Sequence, residues 1–510
     1  MLPVRPDKLG YFLMSICSKR SIWILLLGAF LAAAAFQGTR GLYETTEGRY
    51  AECARETMQS SEWDDPILNN EYHWTKPPMT YWAIMAGFQT LGVNTWGARA
   101  YLVPCFLISI LCVYWIGSLI WDRQAGLVSA LVYAASPMTL FSSNAVSTDG
   151  VLTCFAALAL ACFWKSVYSR SFWSVVGMWF FWGLAFLTKG PPAVLVSIGV
   201  IATVILMRVR AKGETVLRPL TRYHLVGFAL FLFVGLSWYI VEGIEHPGLL
   251  HYWIKDEVVG RNVSNEFHRN PEFYKGFTIY WSAIIFGTAP WSFWAVWHYR
   301  HLFRRDSIRR TWAAILERPE WFWMVSTVVL VLGIFMISKS KLMLYVLPLW
   351  IPLSLMSGYA LSALLERKGV ACKTLVWCCL GIWVVFAGYK GLAPVLGSNK
   401  DMKILADGVI RTIGADSVER LSVVDENPLN GLSFYLGRVL PPIKENKLAA
   451  ALKDQEWGEK PCYLVVHTRT RNKTKEYEWP GFQVTRIPIN EDWFILEVSP
   501  EVRSSPNTGN

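Results

Sequence analysis

Charge is scarce in this chain. Asp, Glu, Lys and Arg make up 17% of its 510 residues, where a soluble domain carries roughly 25%. Cysteine is present without a pattern. Most of the ten cysteines lie inside apolar runs, as Cys105, Cys112, Cys154, Cys162, Cys378 and Cys379 do. No CxxC pair or Cys/His spacing appears, which argues against a disulfide framework or a zinc module. An internal repeat is also missing, and few ionisable residues fall within the apolar runs. Both absences weigh against a transporter built from inverted halves with a mid-membrane site. No small-residue cleavage site follows the apolar run from Ser21 to Phe36, so a retained first helix is expected there.

What is abundant is hydrocarbon. Hydrophobic residues make up 53% of the chain and aromatics 15%, with 26 tryptophans. They gather in runs of about 17–24 residues, long enough to cross a ~30 Å hydrocarbon core. The net charge of +11 does not indicate nucleic acid, because most Lys and Arg sit in short loops between apolar runs, where they orient spans.

Apolar segments fall at 21–37, 79–93, 98–120, 125–142, 150–168, 172–188, 190–207, 223–242, 274–298, 321–337, 341–364 and 371–391. If all crossed the membrane, the basic loops 208–222 and 299–320 would lie opposite the basic N-terminus. Segment 79–93 is short, opens on Pro77-Pro78 and carries Thr80, Tyr81, Trp82 and Gln89, so it reads as a helix lying in the membrane surface. Without it, charge and parity agree. The expected architecture is an all-α polytopic membrane protein of about 11–13 spans, with surface helices in the first outer loop and a small C-terminal α/β extracytoplasmic domain. The expected boundaries are 1–391, 392–503 and a disordered tail at 504–510. Strand-like runs at Leu421–Val424, Tyr463–Val466 and Trp493–Val498 define the α/β part.

The outer loop 38–97 holds Glu44, Glu47, Glu52, Glu56, Glu62, Asp64, Asp65 and Glu71 beside Arg49, Arg55 and Lys76. A solvated amphipathic helix over Thr46–Ser60 accounts for most of these acids; Glu47, beside Arg49 and close to a span, is also a candidate catalytic group. Asp149 is either an N-cap for a helix beginning at Gly150 or a second catalytic acid. Lys189 either snorkels or pairs with a lipid phosphate. Loop 243–273 adds Lys255, Asp256, Glu257, Arg261, His268 and Arg269, and Ser338-Lys339-Ser340-Lys341 places two cations on the outer side. Cations on the less basic face point to an anionic ligand.

These residues form a recognisable series: Glu47-Gly48-Arg49-Tyr50-Ala51-Glu52, Lys76-Pro77-Pro78, Ala98-Arg99, Thr148-Asp149, Phe186 to Pro191, Gly260-Arg261, His268 to Pro271, and Ser340-Lys341-Leu342 through Tyr345 to Pro348. Over residues 20–390 the series resembles the aminoarabinose (lipid A) transferases, C-type glycosyltransferases related to the protein O-mannosyltransferases. The resemblance implies transfer of a sugar from undecaprenyl phosphate to lipid A, a related glycolipid or, in relatives, a protein. The implied setting is the periplasmic face of a bacterial inner membrane. It implies partners of three kinds, namely membrane lipids, a polyprenyl-phosphate-linked sugar and a glycolipid acceptor, with no nucleic acid and no nucleotide or redox cofactor. Carried across, the catalytic acid is Glu47, with Glu44 and Asp149 in reserve. Lys76, Arg261, Lys341 and Tyr345, joined by Lys189 and Arg49, become donor-phosphate candidates.

The series departs from the family pattern in places. Thr46 stands where an Asp usually precedes the Glu, and Thr75 where an acid often precedes Lys-Pro-Pro. Val258 stands where a His is often found. A divalent metal site would then draw on His73 and His268 instead. A lipid-linked-sugar transporter or flippase and a structural membrane subunit are the readings from other classes.

Overall fold

The computed structural model describes residues 19–210, 221–260, 270–300, 312–368, 372–425, 427–444, 448, 461–468, 479 and 481–500. Arg261, His268 and the tail at 504–510 lie outside them. The chain divides into two compact units. The first comprises the chain to Gln37, Trp74–Gly87 and Arg99–Tyr389; the second comprises Gly38–His73, Phe88–Ala98 and the chain from Lys390.

Among the described residues, eight helices are long and apolar enough to cross a membrane, from Thr95–Ile120 to Thr374–Leu396. They coincide with eight of the expected spans, and the protein is a multi-pass membrane protein. The first expected span is the shorter helix Lys19–Ala34. Met79–Leu91 has 13 residues, about 20 Å of helix, short of the ~30 Å core.

Two expected spans are broken. Segment 125–142 forms Arg123–Ala134 and Pro137–Ser142, because Pro137 has no N–H to continue the ladder. Segment 274–298 forms Phe273–Gly276, a π-helical turn Phe277–Trp281, Ser282–Gly287 and Trp291–Tyr299. Helix breaks at membrane depth leave carbonyls that lipid cannot satisfy. Tryptophan supplies the missing donors here. Trp383 Nε1 donates to Ala134 O at 2.9 Å, Trp291 Nε1 to Ala135 O at 3.2 Å, and Trp350 Nε1 to Gly287 O at 3.1 Å.

The second unit carries a five-stranded sheet in the order Pro442–Ile443, Leu421–Val424, Cys462–His467, Trp493–Pro500, Phe482–Pro488. Leu421–Val424 runs parallel to both its neighbours, and the remaining pairs are antiparallel. One face packs Val423, Val465 and Ile495 against Leu405 and Val409 of the helix Met402–Ile413.

The expectation of a solvated Thr46–Ser60 helix is corrected. The helix forms, but Glu47, Glu52, Arg55 and Glu56 on it are buried. It packs on the helix Asn430–Leu436 within the same unit. Gly48 permits the approach: a Cβ there would lie 2.5 Å from Gly431 Cα. Each buried charge has a partner, as burial requires. Arg55 donates to both Glu52 oxygens at 2.7 Å. Glu56 accepts from the N–H groups of Asn69 and Asn70 at 2.9 and 2.8 Å, two residues held at positive φ.

Candidate functional site

In the second unit, the chain entering the Thr46–Ser60 helix is tied down by Asp401. One Asp401 oxygen caps the next helix through the N–H groups of Lys403 and Ile404, and the other accepts from Gly41 N–H at 2.9 Å. That fixes Arg40 beside Glu47. The guanidinium grips the carboxylate in a fork, Nη1 to Oε2 at 2.6 Å and Nη2 to Oε1 at 3.0 Å, and stacks 4.1 Å over the Tyr43 ring. Tyr43 N–H donates to the same carboxylate at 2.9 Å. Three N–H donors converge on the Glu47 carboxylate, which ties it to the backbone and to Arg40.

Glu44 differs. One of its oxygens accepts from Gly431 N–H at 2.6 Å, and the other is buried with no hydrogen-bond partner among the described residues. Burial pushes its carboxyl up to about 7, against the pull of Gly431 N–H and Arg49. A carboxyl with that affinity at neutral pH suits general-base work.

In the first unit, Asp149 lies in the first turn of the helix Thr148–Ser169, whose N-cap is Ser147 rather than Asp149. Its carboxylate is free of capping duty and pairs with Lys189 at the end of the helix Phe172–Lys189. Lys189 Nζ also sits 4.2 Å from the centre of the Tyr345 ring. Gly190 ends that helix at φ +69°, and a Cβ on it would lie 2.6 Å from Tyr239 Oη. Only glycine meets both conditions.

Two further lysines are sequestered in this unit. Lys341 is fully buried and donates to the carbonyls of Ser338 at 2.5 Å and Pro271 at 3.3 Å. Burial, with Lys339 nearby, lowers the proton affinity of its ammonium, and Glu272 opposes the shift. Lys76 donates to its neighbour's carbonyl, that of Thr75, at 2.5 Å and to Glu257 at 3.0 Å. An aromatic layer of Trp74, Trp238, Tyr239 and Trp253 packs with Leu187, and Trp253 Nε1 donates to Trp74 O at 2.9 Å. Lys76, Asp149, Lys189 and Tyr345 are thereby gathered at one end of the membrane helices.

Sequence reasoning gave Arg40 and Glu257 no role. Arg40 lies outside the helix that begins at Thr46 and carries Glu47, and Glu257 lies far from Lys76 in the chain. Arg49 and His73 belong to the second unit. Arg49 lies 5.6 Å from the Tyr50 ring centre. Among the described residues, His73 joins no group of three or more metal-ligating side chains. Thr75 offers Lys76 a backbone oxygen, not a carboxylate, and Val258 offers no ligand atom. His268, the other candidate ligand, lies outside the described residues.

Known proteins resemble this chain in sequence and in fold. A family model described as dolichyl-phosphate-mannose-protein mannosyltransferase matches residues 75–239, the stretch holding Lys76, Asp149 and Lys189. Curated relatives are named undecaprenyl phosphate-α-4-amino-4-deoxy-L-arabinose arabinosyl transferase. The one from Yersinia enterocolitica is 25% identical over 72% of this chain and 65% of its own length. The one from Pseudomonas fluorescens is 27% identical over 68% and 60%. The chain thus matches less than two thirds of the relatives' length. The crystal structure of ArnT from Cupriavidus metallidurans bound to undecaprenyl phosphate superposes with a TM-score of 0.70 at 18% identity, over 94% of this chain and 98% of that one.

The resemblance read from the motifs is borne out: the chain is similar to the membrane glycosyltransferases named for polyprenyl-phosphate donors. Within that class, the aminoarabinose transferases share its sequence over most of the chain. ArnT shares its fold over nearly all of it.

Proposed function

We propose that this protein transfers a sugar from undecaprenyl phosphate, or a similar polyprenyl phosphate, to lipid A or a related glycolipid at the periplasmic face of a bacterial inner membrane. The observation that carries the reading is the set of sequestered lysines in the membrane unit. Lys76, Lys189 and Lys341 are all nearly buried, at 12%, 8% and 0% exposure, the first two against carboxylates and the third against backbone carbonyls, a concentration of sequestered cations that is rare in proteins. The similarity to the arabinosyl transferases supplies the donor class.

In the reaction, an acceptor oxygen attacks the anomeric carbon and the bond from that carbon to the phosphate oxygen breaks. Polyprenyl phosphate leaves with the electron pair. Developing charge on the leaving phosphate is met by Lys76, Lys189 and Lys341, the electrostatic stabilisation that contributes most in such sites. Tyr345 holds Lys189 in place through its ring, and Arg261 is a further phosphate candidate. Lys76 enters the reaction only after exchanging Glu257 for the phosphate. A hydroxyl acceptor gives its proton to a carboxylate, and Asp149 is the candidate within the unit that holds the lysines. A phosphate acceptor needs no base. The charge balance is met by side chains, and no step is assigned to a metal.

The test is mass spectrometry of lipid A and total glycolipid from a host with and without the chain. A sugar-mass increment that requires both the chain and Lys76 supports the reading. An unchanged glycolipid pool with a modified protein pool would transfer the reading to a protein acceptor.

A further inference from the structure

A cavity of about 570 Å³ lies among the helices of the membrane unit. Its walls come from the helices Thr148–Ser169, Phe172–Lys189, Pro192–Arg210 and Thr221–Glu245. Along Pro192–Arg210 it is lined from Ala193 to Arg208, about 22 Å of helix axis. Lys189 and Arg208 stand at opposite ends of this helical hairpin.

The lining is almost wholly apolar. Its two serines are spent within their own helices: Ser166 Oγ donates to Phe163 O at 2.7 Å, and Ser197 Oγ to Val194 O at 2.6 Å. Water needs two to four polar partners to stay in a cavity, and this slot does not offer them along its length. Ile201 and Ile205 on its wall are half-exposed, so the slot opens sideways to hydrocarbon. A lipid chain is the occupant such a slot takes.

The polar groups are at one mouth. Arg208 lines it, next to His224, whose Nδ1 accepts from Trp179 Nε1 at 3.1 Å. That bond places the proton of the neutral imidazole on Nε2, as a donor. A guanidinium and an imidazole N–H at the end of an apolar slot match a phosphate ester on a hydrocarbon chain. This mouth is at the end of the helices that carries Arg210 and Arg222, the cytoplasmic end on the charge rule.

We propose that the slot is a binding site for an anionic phospholipid of the cytoplasmic leaflet, with one acyl chain between the helices and the phosphate on Arg208 and His224. The site is independent of the donor site at the other end of the hairpin.

The test uses the full chain, purified and delipidated, with lipid binding read by native mass spectrometry. Phosphatidylglycerol, phosphatidylethanolamine and undecaprenyl phosphate are the probes. Phosphatidylglycerol is expected to bind the wild type and Arg208→Lys. Its affinity should fall about tenfold in Arg208→Ala, and Ser197→Trp, which fills the slot, should abolish binding. Equal affinity across all four proteins overturns the proposal, as does equal binding of phosphatidylethanolamine. Competition by undecaprenyl phosphate that disappears in Ser197→Trp also overturns it, because the slot would then house the carrier.

Discussion

Glu257 holds Lys76 in a 3.0 Å ion pair across 181 residues of chain, with each side chain about nine-tenths buried. The pair sits where the proposal places a phosphate, so the carboxylate and the donor compete for one ammonium. Glu257→Gln should strengthen donor binding and lower KM for the donor by about 3- to 10-fold, a free-energy change of up to about 1.4 kcal/mol. Lys76→Ala should lower kcat/KM by about 10²-fold or more. Steady-state kinetics with a polyprenyl-phosphate sugar separates the two. A higher KM in Glu257→Gln would show that Glu257 supports donor binding instead.

Glu44 gives a pH dependence whose sign is fixed. Burial raises the folded-state value from 4.5 to about 7. The stability this group contributes is therefore fully present below about 4.5 and lost as pH rises through about 7. Thermal unfolding of wild type and Glu44→Gln across that range measures the difference.

Glu47 should act through stability first. Glu47→Gln strands Arg40 in a buried fork, and breaking such a pair costs about 3–5 kcal/mol. Replacing both partners with apolar residues should recover much of that loss. If Glu47→Gln unfolds normally yet is inactive, Glu47 belongs to the chemistry and the structural assignment fails.

Gly48→Ala places a methyl 2.5 Å from Gly431 Cα. Backbone cannot retreat as a side-chain tip can, so a loss of about 1–3 kcal/mol is expected. A normal melting profile for this variant would mean that the two helices separate readily.

The spans were legible because a hydrocarbon core demands length, and eight of them show it without interruption. The two broken spans were not, because their carbonyls are satisfied by Trp291, Trp350 and Trp383 from distant segments. Leu421–Val424 was legible as an apolar run. The edge strand Phe482–Pro488 was not, since only Phe482, Val484 and Ile487 are even partly covered and their spacing breaks the two-residue alternation. In the candidate site, single residues could be marked from sequence, but not their partners. Whether an acid is a base or a tether depends on Arg40 for Glu47 and on an unpartnered oxygen for Glu44. Local spacing does not encode those relationships. Arg261 and His268 lie outside the described residues.

The central claim is sugar transfer from a polyprenyl phosphate, and its direct test is release of that carrier in a reconstituted membrane. Proteoliposomes holding wild type or Lys76→Ala would receive an undecaprenyl-phosphate-linked pentose and lipid A, with both lipids followed by mass spectrometry. The account predicts free undecaprenyl phosphate and heavier lipid A in equal amounts with wild type, and about 10²-fold less of both with Lys76→Ala. Donor bound but returned intact, with lipid A, glycolipid and protein all unmodified, would contradict it.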